Sequence, residues 1–101
     1  MAPDVGFLVA ELSTLRESPA NARKHHDAKA IQELEESIKA HGVLVPLLVR
    51  RLDGEKLLEI VAGSRRFRAA KAARLKGVPV EVRELTDDQA VEFGLVENLQ
   101  R

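Results

Sequence analysis

The sequence contains no cysteine, tryptophan or tyrosine, and it has only three phenylalanines among 101 residues. Without cysteine the chain can form no disulfide, no thiolate nucleophile and no cysteine-based metal site. With so few aromatic residues, its core must be built from leucine, valine, isoleucine and alanine. At this length we expect one domain over residues 1–101 with a single aliphatic core, and residues 1–6 as a flexible tail.

The sequence also lacks a long apolar run, and its N-terminus does not show the basic-then-apolar pattern of a signal peptide. We therefore expect a cytoplasmic protein with no membrane partner. A reducing compartment agrees with the absence of cysteine.

The chain has no net charge, because 16 basic and 16 acidic side chains cancel. Their distribution is uneven: every ionisable residue in 61–80 is basic, whereas 81–97 carries six acids and only one arginine. A second basic cluster lies at residues 23–26. This asymmetry favours an anionic partner bound by local patches over a nucleic acid bound by the whole surface.

Hydrophobic periodicity predicts the order β-α-β-β-α-β-α, an α+β fold with a small mixed β-sheet and three helices. The predicted strands are 7–12, 47–52, 56–62 and 78–83. The predicted helices are 28–41, a second from Gly63 to before Gly77, and a third from Thr86 or Asp87 through Arg101.

Local signals mark the ends of these elements. Asp27 and Gly42 are predicted to cap the first helix, and Asp53-Gly54 is typical of a hairpin turn. Residues 13–26 are polar and contain a proline, which predicts a loop. The proline in strand 78–83 predicts that this strand lies at a sheet edge.

The most informative segment is 63–70, where an apolar strand ends and a helix begins with two arginines. A helix N-terminus disfavours arginine by about 0.3 to 1 kcal/mol, so an anion is the simplest explanation for the pair. With Ser64 as N-cap, the first-turn amides and the guanidinium groups of Arg65 and Arg66 would converge on one volume. Gly63 lets the backbone approach a phosphate closely. The alternative is a pair of solvated arginines.

Helical geometry places Arg65 on the face that also carries Ala69, Ala72 and Ala73. We expect this small-residue face to pack on the sheet, so Arg65 points inward and needs a partner. That partner is either an anion or a carboxylate elsewhere in the chain. The other basic residues of the helix are expected to be solvated: Arg68, Lys71 and Arg74.

The last helix has one stripe that combines small and polar residues: Ala90, Gly94, Glu97, Asn98 and Arg101. Glu97 and Arg101 are spaced for a surface ion pair worth about 0.3 to 0.5 kcal/mol. Asn98 and Gly94 are poor helix formers, which favours a closely approaching ligand instead. The residues alone leave both interpretations open.

From Leu12 to Arg101 the chain resembles the N-terminal domain of the ParB family of chromosome and plasmid partition proteins. Three motifs carry the resemblance, in order and at matching spacing: residues 37–47, the Gly-x-Arg-Arg-x-Arg-Ala motif at 63–69, and the Glu-Asn-x-x-Arg motif at 97–101. It implies a ParB/sulfiredoxin-like fold.

The resemblance also implies a function. It suggests a regulatory domain that binds CTP with Mg2+, is at most a slow CTPase, and uses nucleotide to close a dimeric clamp on DNA. The implied partners are a nucleotide, DNA through regions beyond this chain, a second copy in nucleotide-dependent self-dimerisation, and a partition ATPase. A full-length protein would be associated with the nucleoid.

Matching positions take the family's roles. The residues implied to bind the nucleotide phosphates are Arg23, Gly63, Ser64, Arg65, Arg66, Asn98 and Arg101. Glu97 is the implied catalytic residue, and Glu97 and Asn98 are the implied metal ligands.

The chain departs from the family pattern at three places. Asn21-Ala22 replaces Gln-Pro, Val45 replaces a glutamine that often precedes the proline, and Ser64 replaces a common glutamate. The first and third departures predict weak or no hydrolysis, and the second bears on the selectivity for cytosine.

The residues also bear on three other functions. Sulfiredoxin shares the fold, but Ser64 stands where its loop has the nucleophilic cysteine, which excludes that reaction. A ParB-like nuclease would need clustered carboxylates, and Asp87 and Asp88 are better explained as capping and helix-dipole residues. The alternative from another class is a DNA- or protein-interaction module that binds no nucleotide.

Overall fold

The computed structural model describes residues 6–18, 28–43, 45–51 and 57–99, without the side chains of 95–99. Within these ranges the chain forms five strands, three α-helices and a single 3-10 turn at Leu12–Thr14. The strands are β1 (Gly6–Glu11), β2 (Leu15–Glu17), β3 (Leu47–Arg51), β4 (Leu58–Ala62) and β5 (Gly77–Arg83). The helices are α1 (Ala28–His41), α2 (Ser64–Ala72) and α3 (Asp87–Leu99). The predicted α+β class is confirmed.

The five strands form one mixed sheet in the order β1-β5-β3-β4-β2. Pairs β1–β5 and β3–β4 are antiparallel, and pairs β5–β3 and β4–β2 are parallel. The antiparallel β3–β4 pair agrees with the predicted hairpin, whose Asp53-Gly54 turn lies outside the described residues.

One face of the sheet carries the core, which is aliphatic as predicted. Leu47, Val49, Ile60 and Val80 are fully buried and pack with Phe67 of α2. Helix α1 packs on α2, and α2 lies against β3. Side chains alternate across a strand, so the neighbours of these core residues face the opposite side, where α3 packs on β4.

The first helix matches its prediction where it is described. Ile38 is buried, its apolar neighbours Ala30, Ile31 and Leu34 are half-buried, and the helix ends at a left-handed Gly42 with φ 74°. The Gly42 N–H donates to Ile38 O at 2.7 Å. The predicted cap Asp27 lies outside the described residues.

Strand β2 corrects the predicted loop at 13–26. Leu15–Glu17 pairs in parallel with β4, and Leu15 enters the core. Three residues with one buried side chain are too few to show the period-2 alternation by which a strand is identified.

The predicted edge position of β5 is also wrong, because β5 lies between β1 and β3. Its proline is nevertheless tolerated, because at this position the strand is paired on one side only, as a strand at a sheet edge would be. Pro79 faces Val9 of β1, but β5 pairs with β3 only from Val80 onward. At Pro79 the strand therefore has a partner on one side only, and a missing N–H disrupts no ladder on the other.

Candidate functional site

The connection from β4 to α2 turns at Gly63, whose backbone is left-handed at φ 106° and ψ 21°. A Cβ atom here would lie 2.6 Å from Leu47 Cδ2 and 3.0 Å from Arg66 Nη2. Only glycine combines this conformation with this close approach. The same distances show that the Arg66 guanidinium lies over the Gly63 backbone.

Ser64 was predicted as the N-cap of α2, and this is wrong. Gly63 occupies the N-cap position, and its carbonyl accepts the Phe67 N–H at 2.9 Å. Ser64 is the first residue of the helix and its side chain is buried. Its Oγ has no hydrogen-bond partner among the described residues. A hydroxyl that could have capped the helix is instead an unsatisfied buried group.

Arg65 points inward, as predicted. Its side chain is half-buried, and its Nε is fully buried with no hydrogen-bond partner among the residues described. In that part of the chain no carboxylate forms an ion pair with Arg65, so the predicted alternative of a structural salt bridge is not observed there.

The packed face of α2 differs slightly from its prediction. Phe67, Ala69 and Ala70 are buried, whereas Ala72, predicted to pack on the sheet, is exposed. Ala72 is the last residue of the helix.

The predicted solvation of Arg68 is wrong. Its Nε and Nη2 donate to the two carboxylate oxygens of Glu17 at 2.8 and 2.9 Å, which joins α2 to β2. The hydrogen bond with Glu17 raises the pKa of Arg68 above its usual value. Lys71 lies 5.3 Å from the centre of the Phe67 ring. Arg68 is thus neutralised within the protein, whereas Arg65 and Arg66 have no carboxylate partner in the described ranges.

The start of α2 therefore concentrates positive charge. The N–H groups of its first turn have no acceptor within the helix, and the helix dipole is positive at this end. Arg65 and Arg66 add two guanidinium groups, and Ser64 adds a buried hydroxyl. This arrangement can bind an anion with several oxygen atoms, such as a phosphate chain.

Helix α3 passes close to this site. The position of a Cβ on Gly94 would be 3.7 Å from the carbonyl oxygen of Val61, two residues before Gly63. Positions 97 and 98 follow Gly94 by three and four residues, so they share its face of the helix. Residue 94 thus lies against β4, at a distance where an alanine Cβ would also make an ordinary van der Waals contact.

The structure brings together four of the predicted site residues: Gly63, Ser64, Arg65 and Arg66. Glu97 and Asn98 belong to α3, and the structure describes their backbone but not their side chains. Arg23 and Arg101 also lie outside the described residues.

Asp87 and Asp88 lie in the first turn of α3, as predicted for helix-dipole residues, but the predicted capping role belongs to Thr86 and not to an aspartate. Thr86 and Gln89 form a reciprocal capping box, with Gln89 N–H to Thr86 Oγ1 at 3.2 Å and Thr86 N–H to Gln89 Oε1 at 3.0 Å. Asp87 pairs with Arg50 at 2.9 Å. Among the described residues no group of three or more His, Asp or Glu side chains could hold a metal ion.

Sequence reasoning missed the buried ion pair between Arg50 and Glu59, whose Nε and Oε1 are 2.9 Å apart. The two residues face each other on β3 and β4. Burial alone would lower the pKa of Arg50, but its contacts with Asp87 and Glu59 outweigh this and raise it. The available signal was the presence of Arg50 and Glu59, of opposite charge, inside two apolar runs that pair across a hairpin.

None of the helices in the described ranges is long and apolar enough to span a membrane.

Comparison with known proteins identifies the family. The model of the ParB N-terminal domain matches residues 7–99. The chain is 48% identical to the chromosome-partitioning protein ParB of Myxococcus xanthus over 100 residues, which cover 99% of this chain and 33% of that protein. It is 50% identical to stage 0 sporulation protein J of Bacillus subtilis over 91 residues, which cover 90% and 32%. The chain thus spans about a third of the length of these curated relatives.

Solved structures of known proteins are also similar to this chain. C-terminally truncated ParB of Caulobacter crescentus, complexed with CTP-gamma-S, superposes with a TM-score of 0.87 at 42% identity, over 95% of this chain and 54% of that one. The same protein complexed to the centromeric parS site gives 0.80 at 39%, over 93% and 48%. Sulfiredoxin of Arabidopsis thaliana gives 0.70 at 23%, over 86% and 94%, and shows the shared fold. This chain belongs to the ParB N-terminal domain family.

Proposed function

We propose that this chain is a single nucleotide-binding domain of a partition protein and that it binds CTP, with Mg2+, at the start of α2. One observation carries the proposal: Ser64 Oγ and Arg65 Nε are buried next to each other in sequence, and neither has a hydrogen-bond partner among the described residues. An unsatisfied buried polar group costs about 1–3 kcal/mol, and more when it is charged. A phosphate chain supplies the missing acceptor oxygens.

Three further features of the site favour a phosphate chain. The first-turn amides of α2 point toward the same end of the helix, and the planar guanidinium groups of Arg65 and Arg66 match phosphate oxygens in pairs. Gly63 removes the Cβ that would otherwise lie in the loop. The likeness to the Caulobacter protein complexed with CTP-gamma-S supports CTP as the nucleotide.

Mg2+ fits the donor set proposed for it. Glu97 and Asn98 offer oxygen atoms of the kind that Mg2+ accepts alongside phosphate oxygens. Their positions share a helical face with Gly94, which contacts Val61 near the loop. When bound, the ion would neutralise part of the triphosphate charge. Arg23 and Arg101, outside the described residues, are proposed to reach the same phosphates.

Hydrolysis is proposed to be slow or absent, with Glu97 as the residue that would support it. Ser64 stands at a position where the family often has glutamate, and a buried serine provides no carboxylate to orient a water molecule. For the whole partition protein we propose DNA binding through other regions, nucleotide-dependent self-dimerisation and an ATPase partner. The Caulobacter ParB complexed to a parS site supports the DNA assignment.

Thermal unfolding with and without CTP and Mg2+ tests the proposed function. A ligand at a hundred times its dissociation constant adds about 2.7 kcal/mol to the free energy of unfolding. We expect the wild type to gain stability, and Arg65→Ala and Arg66→Ala to lose most of the gain. Lys76→Ala is the matched control, because Lys76 is exposed and lies outside the loop.

Three outcomes would contradict this assignment. CTP could stabilise Arg65→Ala and Arg66→Ala as much as the wild type. Lys76→Ala could lose the stabilisation by CTP to the same extent, which would show that the net charge of the protein, and not the loop, determines the stabilisation. A large loss of stability in Arg65→Ala without nucleotide would instead indicate a structural ion pair.

A further inference from the structure

Arg50 is a buried charge that the proposed nucleotide site does not use. Its side chain is 10% exposed, and its Nε donates to Glu59 Oε1 at 2.9 Å. Its Nη1 contacts Asp87 Oδ1 at 2.9 Å and the carbonyl oxygen of Leu85 at 3.2 Å. One guanidinium group therefore joins β3, β4 and the first turn of α3.

Helix α3 has few other described attachments. Val91 is 61% exposed and Phe93 36% exposed. No side chain described on α3 belongs to the buried core cluster. Its remaining contacts include Gly94 against the backbone of Val61 and Phe93 5.6 Å from the Arg83 guanidinium. Apolar contacts have little directionality, whereas charge-assisted hydrogen bonds fix an orientation.

The contact lies at the end of α3 opposite to Glu97. At 1.5 Å per residue, position 97 is about 15 Å along the helix from Asp87, so a tilt of about 10° at Asp87 would move it by about 2.6 Å. A misplacement of about 1 Å in a reacting group can cost about a hundredfold in rate.

We propose that Arg50 is a positioning residue: by holding the first turn of α3 against β3 and β4, it places positions 97 and 98 relative to the loop Gly63–Arg66. The consequence for nucleotide rests on the proposed function. The placement of α3 does not, because it depends only on contacts within the protein.

The experiment compares Asp87→Ala with Asp88→Ala. Both residues are acids in the first turn of α3 and contribute alike to the helix dipole, but in the described part of the chain only Asp87 contacts Arg50. Asp87→Ala leaves Arg50 paired with Glu59, so no unpaired charge is buried. Asp87→Glu keeps the carboxylate and serves as the rescue variant.

Hydrogen exchange without nucleotide is the first measurement. We expect Asp87→Ala to speed exchange in α3 by about fivefold over Asp88→Ala, the upper end of what an ion pair contributes when one partner is exposed, since the Asp87 side chain is 92% exposed. Exchange in β3 and β4 should not change, and Asp87→Glu should restore the wild-type rate in α3. Equal exchange in the two alanine variants would overturn the proposal.

CTP affinity with Mg2+ is the second measurement. We expect Asp87→Ala to weaken binding by about threefold to tenfold and Asp88→Ala to leave it unchanged, the size of effect that coupling between sites reaches. Faster exchange in α3 with unchanged affinity would overturn the link to the nucleotide site. Absence of CTP binding to the wild type would instead refute the proposed function, while exchange still decides the placement of α3.

Discussion

The substitution Ser64→Ala should have opposite effects on stability and on nucleotide binding. The Ser64 hydroxyl is buried and has no hydrogen-bond partner among the described residues. Such a group costs about 1–3 kcal/mol. Removing one oxygen leaves only a small void, so we expect a net gain of about 1 kcal/mol. For a domain of this size that raises Tm by about 4–8 °C.

The effect on CTP binding has the opposite sign. A hydrogen bond to a charged group contributes about 1.5–3 kcal/mol, and each 1.4 kcal/mol is a factor of ten in affinity. We therefore expect Ser64→Ala to weaken CTP binding by about tenfold or more. Calorimetric titration of CTP with Mg2+ measures the affinity, and calorimetric unfolding without nucleotide measures Tm.

Ser37→Ala is the matched control. Ser37 is exposed on α1, so its substitution changes helix propensity without changing a buried hydroxyl. We expect a small change in Tm and none in affinity. If Ser64→Ala lowered Tm and left the affinity for CTP unchanged, the serine would have a structural role and the argument from its unsatisfied hydroxyl would be refuted.

Three other predictions concern the C-terminal end of α2, the candidate catalytic residue Glu97 and the binding of DNA. Arg74 follows α2 with a left-handed backbone at φ 61°, and the Leu75 N–H donates to Ala70 O at 3.1 Å, which closes the end of the helix. A left-handed backbone costs a non-glycine residue about 1–2 kcal/mol. We therefore expect Arg74→Gly to raise the free energy of unfolding, measured by urea titration, by about 0.5–1 kcal/mol, and Arg74→Ala not to raise it. Glu97→Gln should keep CTP affinity within about threefold and reduce phosphate release, because a carboxylate near the phosphates acts mainly on the reaction; equal release from wild type and variant would remove the catalytic role. The isolated chain should bind DNA weakly and without sequence preference, and it should lose its affinity for DNA between about 50 and 200 mM salt. The reason is that Arg68 is paired with Glu17, so that the basic side chains left on that surface are Lys71, Arg74 and Lys76. Salt-resistant binding to one of two unrelated duplexes, measured by fluorescence anisotropy, would contradict this prediction.

The elements predicted correctly are those with a long or distinctive local signal. Helix α1 shows several turns of apolar periodicity, and its end is marked by Gly42. Strands β3 and β4 are apolar runs on either side of a hairpin signal, and they pair as predicted. In each case the information lies within a few residues of the element itself.

The wrong predictions concern features that depend on contacts with other strands and helices. Strand β2 exists because β4 offers it a free edge, and nothing within Leu15–Glu17 indicates this. The position of Pro79 in an inner strand depends on how far β3 extends alongside β5. The Arg50–Glu59 pair depends on the register of β3 with β4 and on the placement of α3, neither of which is a local property.

At the candidate site the sequence predicts the segment 63–70 but not its geometry. The change of N-cap from Ser64 to Gly63 is a shift of one residue, and it turns the serine from a cap into a buried hydroxyl. Gly63, which takes the N-cap position, also lies close to Leu47, a residue 16 positions away in sequence. The unsatisfied hydroxyl, which carries the proposed function, was therefore visible only in three dimensions.

Binding of CTP at the start of α2 can be measured by the amide chemical shifts of the labelled protein during titration with CTP and Mg2+. We expect saturable shifts that are largest at Gly63–Arg66, with smaller shifts in the last turns of α3. The helix end around Arg74 should stay unchanged. Saturable shifts confined to other parts of the protein, or none at all at Gly63–Arg66, would contradict binding at this site.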